Sequence, residues 1–248
     1  SAMSVRADIE DAIKRDFPVK PGGILMLESE LGSVQVKAGT GDKVEVSITL
    51  VAETDNSAKA REIMDRFHVD FNLFQNRRNR LQVEYYIRVP EKFDLEIHTG
   101  GGGIAVTDIE GTIEVETSGG SLSFTGAKGD IRGRTSGGSI SLRECEGEID
   151  IKTSGGSINM EKVTGDVYAR TSGGSINMEE VRGSIDASTS GGSVTAEILE
   201  QPSSPCRLTT SGGSMTVYLS KTIKANIDAK TSAGKIKSDF PLKVRGKY

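Results

Sequence analysis

From residue 99 onward, apolar and polar residues alternate in short segments that return with a fixed period. Ser157-Ile158-Asn159-Met160-Glu161 and Glu148-Ile149-Asp150-Ile151-Lys152 are two of them. Period-2 alternation rich in β-branched residues specifies strands with one buried face. Glycine turns join the segments and leave no room for a crossover helix.

The period is set by Thr-Ser-Gly-Gly-Ser, which opens at Thr117, Thr135, Thr153, Thr171 and Thr189, each 18 residues after the last. Thr99 opens a degenerate copy one period earlier, and Thr210 and Thr231 follow after 21-residue steps. A repeat this short buries its apolar face only by stacking on its neighbours, which is the signature of a solenoid.

Counted from each threonine, the apolar positions form columns. Ile104, Leu122, Ile140, Ile158, Ile176, Val194, Met215 and Ile236 make the first, and Val106, Phe124, Leu142, Met160, Met178, Ala196 and Val217 the second. A third reads Ile109, Ala127, Cys145, Val163, Val181 and Leu199. The fourth is Ile113, Ile131, Ile149, Val167, Ile185, Cys206 and Ile227; the fifth is Val115, Gly133, Ile151, Ala169, Ala187, Leu208 and Ala229.

The pattern specifies an all-β fold: a parallel β-solenoid of about eight 18-residue coils, right-handed by the general chirality of parallel crossovers. Strands stacked at about 4.8 Å per coil give a rod roughly 38 Å long. The Gly-Gly pairs are expected at one corner, where positive φ and close stacking both favour glycine, and a second column from Gly111 to Gly183 marks another. The threonines fall on the inward parity, so their hydroxyls should bond corner backbone.

Residues 4–98 lack the period and form an amino-terminal cap continuous with the solenoid of residues 99–248; Ser1-Ala2-Met3 reads as a cloning remnant. Val5, Ile9, Ile13 and Phe17, four apart behind Ser4, predict a short amphipathic helix, and residues 57–67 a second. Strands are predicted at 24–28, 33–37, 43–52, 68–74 and 81–89, the last two flanking a polar turn. A first coil exposes unpaired strand edges, which this segment would cover. Phe240-Pro241-Leu242 would fold over the other end, its proline blocking further pairing.

The 30 glycines, absence of tryptophan and 5% aromatic content describe a thin core, which suits a solenoid. A net charge of −4 argues against nucleic acid as a partner. No run of 18 apolar residues predicts a membrane span. Cys145 and Cys206 stand in apolar columns about three coils apart, near 14 Å and beyond disulfide reach, so both read as small core hydrophobes.

Candidate chemistry is sparse. Paired carboxylates across a cleft would signal a glycoside hydrolase. Here Glu114, Glu116, Asp130, Glu148, Asp150, Asp166 and Asp186 take outward or corner positions interleaved with Arg132, Arg134, Lys152 and Arg170, and no long insertion builds a cleft. The alternation Glu114, Arg132, Asp150 reads as cross-coil ion pairing. No enzyme activity is expected. A nonapeptide calcium repeat fails because apolar residues fill its ligand positions. His68 and His98 lack partners at zinc-ligand spacing. No cofactor or metal is expected, and Arg77-Arg78-Asn79-Arg80 reads as a solvated hairpin tip.

One surface is regular enough to bind something. Ser139, Ser157, Ser175 and Ser193 form an outward column, and Ser141, Asn159, Asn177 and Thr195 run beside it. These eight are the candidate strip for a repeating ligand, set against the plainer reading that short polar residues tolerate tight stacking.

Pro21-Gly22-Gly23 before a strand, then Leu31-Gly32-Ser33-Val34-Gln35-Val36, a strand closing on Val89-Pro90, and tandem Thr-Ser-Gly-Gly-Ser-Ile units make a recognisable order. Across residues 17–242 it resembles the bacterial "putative adhesin" family, a domain of unknown function with parallel β-helix character. The resemblance brings no catalytic residues. It implies a cell-envelope or secreted module that binds or scaffolds, with a glycan or another surface protein as partner. A self-assembling structural protein and a polysaccharide-active enzyme are the alternatives.

Overall fold

The computed structural model describes residues 7–54 and 81–228, together with Lys237 and Asp239. The described residues contain strands and no helix. The amino-terminal ones are β1 (Ala7–Pro18), β2 (Ile24–Ser29), β3 (Ser33–Gly39), β4 (Lys43–Thr54), β5 (Leu81–Pro90) and β6 (Asp94–Thr99). Thereafter strands fall alternately into two sheets. The longer sheet receives β7 (Ile104–Thr107), β9 (Leu122–Thr125), β11 (Ile140–Arg143), β13 (Ile158–Thr164), β15 (Ile176–Arg182), β17 (Val194–Ile198) and β19 (Met215–Leu219). The shorter receives β8 (Ile113–Thr117), β10 (Ile131–Thr135), β12 (Ile149–Thr153), β14 (Val167–Thr171), β16 (Ile185–Thr189) and β18 (Arg207–Thr210).

Pairing throughout the stack is parallel, mostly in register one period apart: Ile131 faces Ile149, and Ile140 faces Ile158. The predicted columns are therefore ladders, and Ile140, Ile149, Ile158 and Ile176 are fully buried. Size is balanced between the sheets. Phe124 fills the space that a side chain at Gly133 would need, 3.1 Å from where its Cβ would lie. A third side is made of isolated parallel bridges running Lys92, Glu110, Lys128, Glu146 and Thr164. The coil opened by Thr231 lies outside the described residues, as do the predicted helix at 57–67, the strand at 68–74, the arginine turn and Phe240-Pro241-Leu242.

The stack begins before residue 99. β2 pairs with β6 and β3 with β7, both parallel, so residues 24–39 form a first coil. Ser29 stands in register with Thr99 and takes the threonine position. Its Oγ donates to the Leu31 carbonyl at 2.6 Å and shares a 3.1 Å hydrogen bond with the hydroxyl of Tyr85. Burial pushes that phenol above the usual tyrosine range. Beyond β3 the longer sheet continues through β5, β4 and β1, where β4 is antiparallel to both neighbours. Lys43 ties this extension together through Asp16 at 3.3 Å and through Glu45.

Four expectations about the fold need correction. Of the helix predicted over residues 4–17, the described residues, from Ala7 on, form a strand: β1 pairs along its whole length with β4, Ile13 opposite Ile48 and Phe17 opposite Val44. A spacing of four is close to one helical turn, but it is also two strand repeats, so it could not separate the two. In the third ladder Ile198, not Leu199, faces Val181, because the register shifts between Met178 and Val181. Cys206 is exposed rather than buried. Its coil carries the extra residues around Pro202 and Pro205, β18 starts only at Arg207, and this is the last strand of its sheet. Finally, positive φ is not a feature of the Gly-Gly corner. It occurs at the opposite corner, in Gly147 for instance (φ 133°), and in the charged column Asp108, Glu144, Lys162 and Glu180.

Candidate functional site

The Gly-Gly corner fixes how closely coils approach. The carbonyl of Gly138 accepts from the buried Thr153 Oγ1 of the next coil at 2.8 Å, and that oxygen in turn accepts from the Gly156 amide at 3.3 Å. The same pair of bonds repeats from Thr117 to Thr210. Every buried side-chain polar atom among the described residues has a partner. The threonines are thus consumed by the fold, as expected of inward hydroxyls.

Immediately after this corner the chain turns onto the outer face of the longer sheet, and all eight candidate residues come together there. They do not play equal parts. Ser139 Oγ accepts the Ser157 amide at 3.2 Å, Ser157 Oγ the Ser175 amide at 3.2 Å, and Ser175 Oγ the Ser193 amide at 3.1 Å. This row satisfies backbone donors between coils and is half structural. In the second row Ser141 faces Asn159, Asn159 faces Asn177, and Asn177 faces Thr195. One bond runs along it: Asn177 Nδ2 donates to Asn159 Oδ1 at 3.0 Å. Ser123 continues the row on one side. The result is a flat file of short hydroxyl and amide groups, bordered by the Arg143–Glu161 ion pair at 2.8 Å.

The outer face of the shorter sheet is different in kind. Glu114, Arg132 and Asp150 do align, but neither Glu114 nor Asp150 pairs with Arg132. The ion pairs run diagonally instead, Arg134 to Glu114 at 3.9 Å and Arg170 to Asp186 at 3.8 Å. Arg134, Lys152 and Arg170 lie in one file on adjacent strands. The three stand at one repeat position, 18 residues apart, immediately before Thr135, Thr153 and Thr171. Nearer the amino terminus His98 sits between Glu96 at 3.6 Å and Glu116 at 3.7 Å.

Cys145 lies in the core, its thiol pointing at the Arg143 carbonyl at 3.4 Å, and burial pushes its pKa up. Both cysteines are free. Among the described residues no group of three or more His, Cys, Asp or Glu is placed to hold a metal ion.

No curated protein matches the chain. A solved structure named as a putative cell adhesion protein from Clostridium sporogenes is 10% identical, with 84% of this chain and 100% of that one covered and a TM-score of 0.31. A putative lipid binding protein from Parabacteroides distasonis is 11% identical over 84% of this chain and 97% of its own, with a TM-score of 0.28. A family model described as Toastrack DUF4097 matches residues 24–247, from the first coil through the whole stack, and the chain therefore belongs to the Toastrack family, a domain of unknown function.

Proposed function

We propose that this protein is a non-catalytic binding or scaffolding module of the cell envelope or the extracellular space, and that it engages a repeating ligand through the outer face of its longer sheet. The observation that carries the reading is the second polar row. Ser141, Asn159, Asn177 and Thr195 stand in register on adjacent strands. Strand spacing sets the rungs about 4.8 Å apart. Short side chains in a fixed array lose little entropy on binding, so several weak contacts can add. Amide and hydroxyl groups suit a glycan, whose hydroxyls both donate and accept. Another surface protein is the second partner class.

The test is glycan-array binding by the parent and by an Asn159→Lys, Asn177→Lys variant. Lysine adds bulk and like charge on adjacent rungs without touching the core. Ligands bound by the parent should be lost by at least about tenfold, a step of about 1.4 kcal/mol, with the melting midpoint nearly unchanged. A variant that binds them as tightly as the parent overturns the assignment of this face.

A further inference from the structure

The outer face of the shorter sheet carries a charge arrangement that folding alone does not favour. Arg134 faces Lys152 and Lys152 faces Arg170, so three cations stand directly opposite one another on adjacent strands. Like charges in such positions destabilise a sheet. The protein avoids this on its third side, where the file Lys92, Glu110, Lys128, Glu146 alternates in sign and Lys92 meets Glu110 at 3.1 Å.

The file is also poorly neutralised. Among the described residues Lys152 and Arg132 have no carboxylate within ion-pair distance, and the two diagonal pairs are long and exposed. Pairs of that kind contribute little. The guanidinium and ammonium donors therefore face solvent. Beside them, on the same strand as Arg170, Tyr168 is 42% exposed, an aromatic surface standing outward between Asp150 and Asp186 of the adjacent strands.

From this we propose that Arg134, Lys152, Arg170 and Tyr168 form a binding site for a linear acidic glycan laid along the stack, distinct from the polar row on the other sheet. The rungs are about 4.8 Å apart and the file spans about 10 Å, which suits one narrow chain carrying carboxylates. Arginine forks match carboxylates in two-point contacts. The Tyr168 ring offers an apolar face to a sugar ring and its hydroxyl a polar handle. The file is flanked by Glu114, Glu116, Asp150 and Asp186, on a protein of net charge −4. Glu116 faces Arg134 and closes the file at that end, whereas past Arg170 the file continues uncharged through Ser188 and Thr209. A broad polyanion such as a nucleic-acid duplex would meet the carboxylates on either side; a single narrow chain running from Arg134 toward Thr209 meets none within its file.

The experiment titrates the full chain at low salt with a galacturonate oligomer of about ten sugars, a neutral glucan oligomer of equal length and a single-stranded oligonucleotide of equal charge. The galacturonate oligomer should bind best and weaken with added salt, three contacts giving a log–log slope near −2. Lys152→Glu should cut that affinity at least tenfold while raising the melting midpoint by about 2 °C, because it turns a like-charge file into an alternating one. Tyr168→Ala should weaken the galacturonate oligomer severalfold. No binding at low salt, equal binding of the neutral glucan, or tighter binding of the oligonucleotide overturns the proposal. A fall in midpoint for Lys152→Glu overturns its premise. These variants leave the longer sheet untouched, so either face can fail without the other.

Discussion

The two glycine-bearing corners of each coil solve different problems. At the Thr-Ser-Gly-Gly corner the second glycine has no positive φ; it is glycine because the coil below is too close. A Cβ on Gly138 would overlap the carbonyl group of Gly120. Its neighbour Gly137 would meet nothing nearer than 3.5 Å. At the opposite corner Gly147 needs both its left-handed backbone, φ 133°, and its lack of a side chain above Gly129. Stacking distance, more than turn type, therefore dictates glycine in this protein.

The comparison breaks most sharply within one dipeptide. Gly138→Ala should cost about 3 kcal/mol or more, since the obstructing atoms are backbone and the strands on both sides are pinned. Gly137→Ala should cost less than about 1 kcal/mol, because its Cβ makes an ordinary contact. Denaturant melts of the two single variants decide it. Equal losses would mean that the corner needs glycine's conformational freedom after all.

Next in size is the hydroxyl that latches the corner. Thr153→Val keeps the shape but leaves the Gly138 carbonyl and Gly156 amide each short of one partner, which should cost about 1–3 kcal/mol. The cysteines report where such damage opens the stack. Exposed Cys206 should react with a thiol reagent at once in the parent, whereas buried Cys145, its thiol pKa raised by desolvation, should react only as coils open. Thr153→Val should speed Cys145 labelling and leave Cys206 unchanged; unchanged Cys145 labelling would place the opening elsewhere.

Which of these features the sequence disclosed follows from how each is encoded. Ladders such as Ile131, Ile149, Val167 repeat every 18 residues with one parity, so period and alternation together fix register, burial and the threonine latch. The polar rows were legible for the same reason, being the opposite parity of the same strands. β1 was not, because Ile13 and Phe17 are four apart, a spacing shared by helix and strand, and its partner β4 is distant in sequence. The shift to Ile198 was hidden too: Glu179 and Glu180 are followed one period later by Glu197 alone before the inward residue, a one-residue loss that composition does not mark. Least visible was the left-handed column, since Asp108, Glu144, Lys162 and Glu180 look like any exposed charged positions.

That column supplies the smallest and most discriminating test. Lys162 has φ 55°, and Gly126 occupies the equivalent position in an earlier coil with φ 63°. A left-handed backbone costs an ordinary residue about 1–2 kcal/mol. Replacing it by glycine removes that cost and adds about 0.4–1 kcal/mol of unfolded-state entropy. The ion pair lost with Lys162, to Glu144 at 3.8 Å, is exposed and contributes little. Lys162→Gly should therefore stabilise the protein by up to about 1 kcal/mol. Gly126→Ala should do the reverse by a similar amount, since it takes on the left-handed cost and its Cβ would press on the Asp108 carboxylate. Opposite signs at one repeat position would show that the backbone there is set by the stack, whichever residue occupies it. If Lys162→Gly instead lowers stability, the left-handed conformation is one that its side chain helps to hold, and this corner depends on its residues as much as the other depends on space.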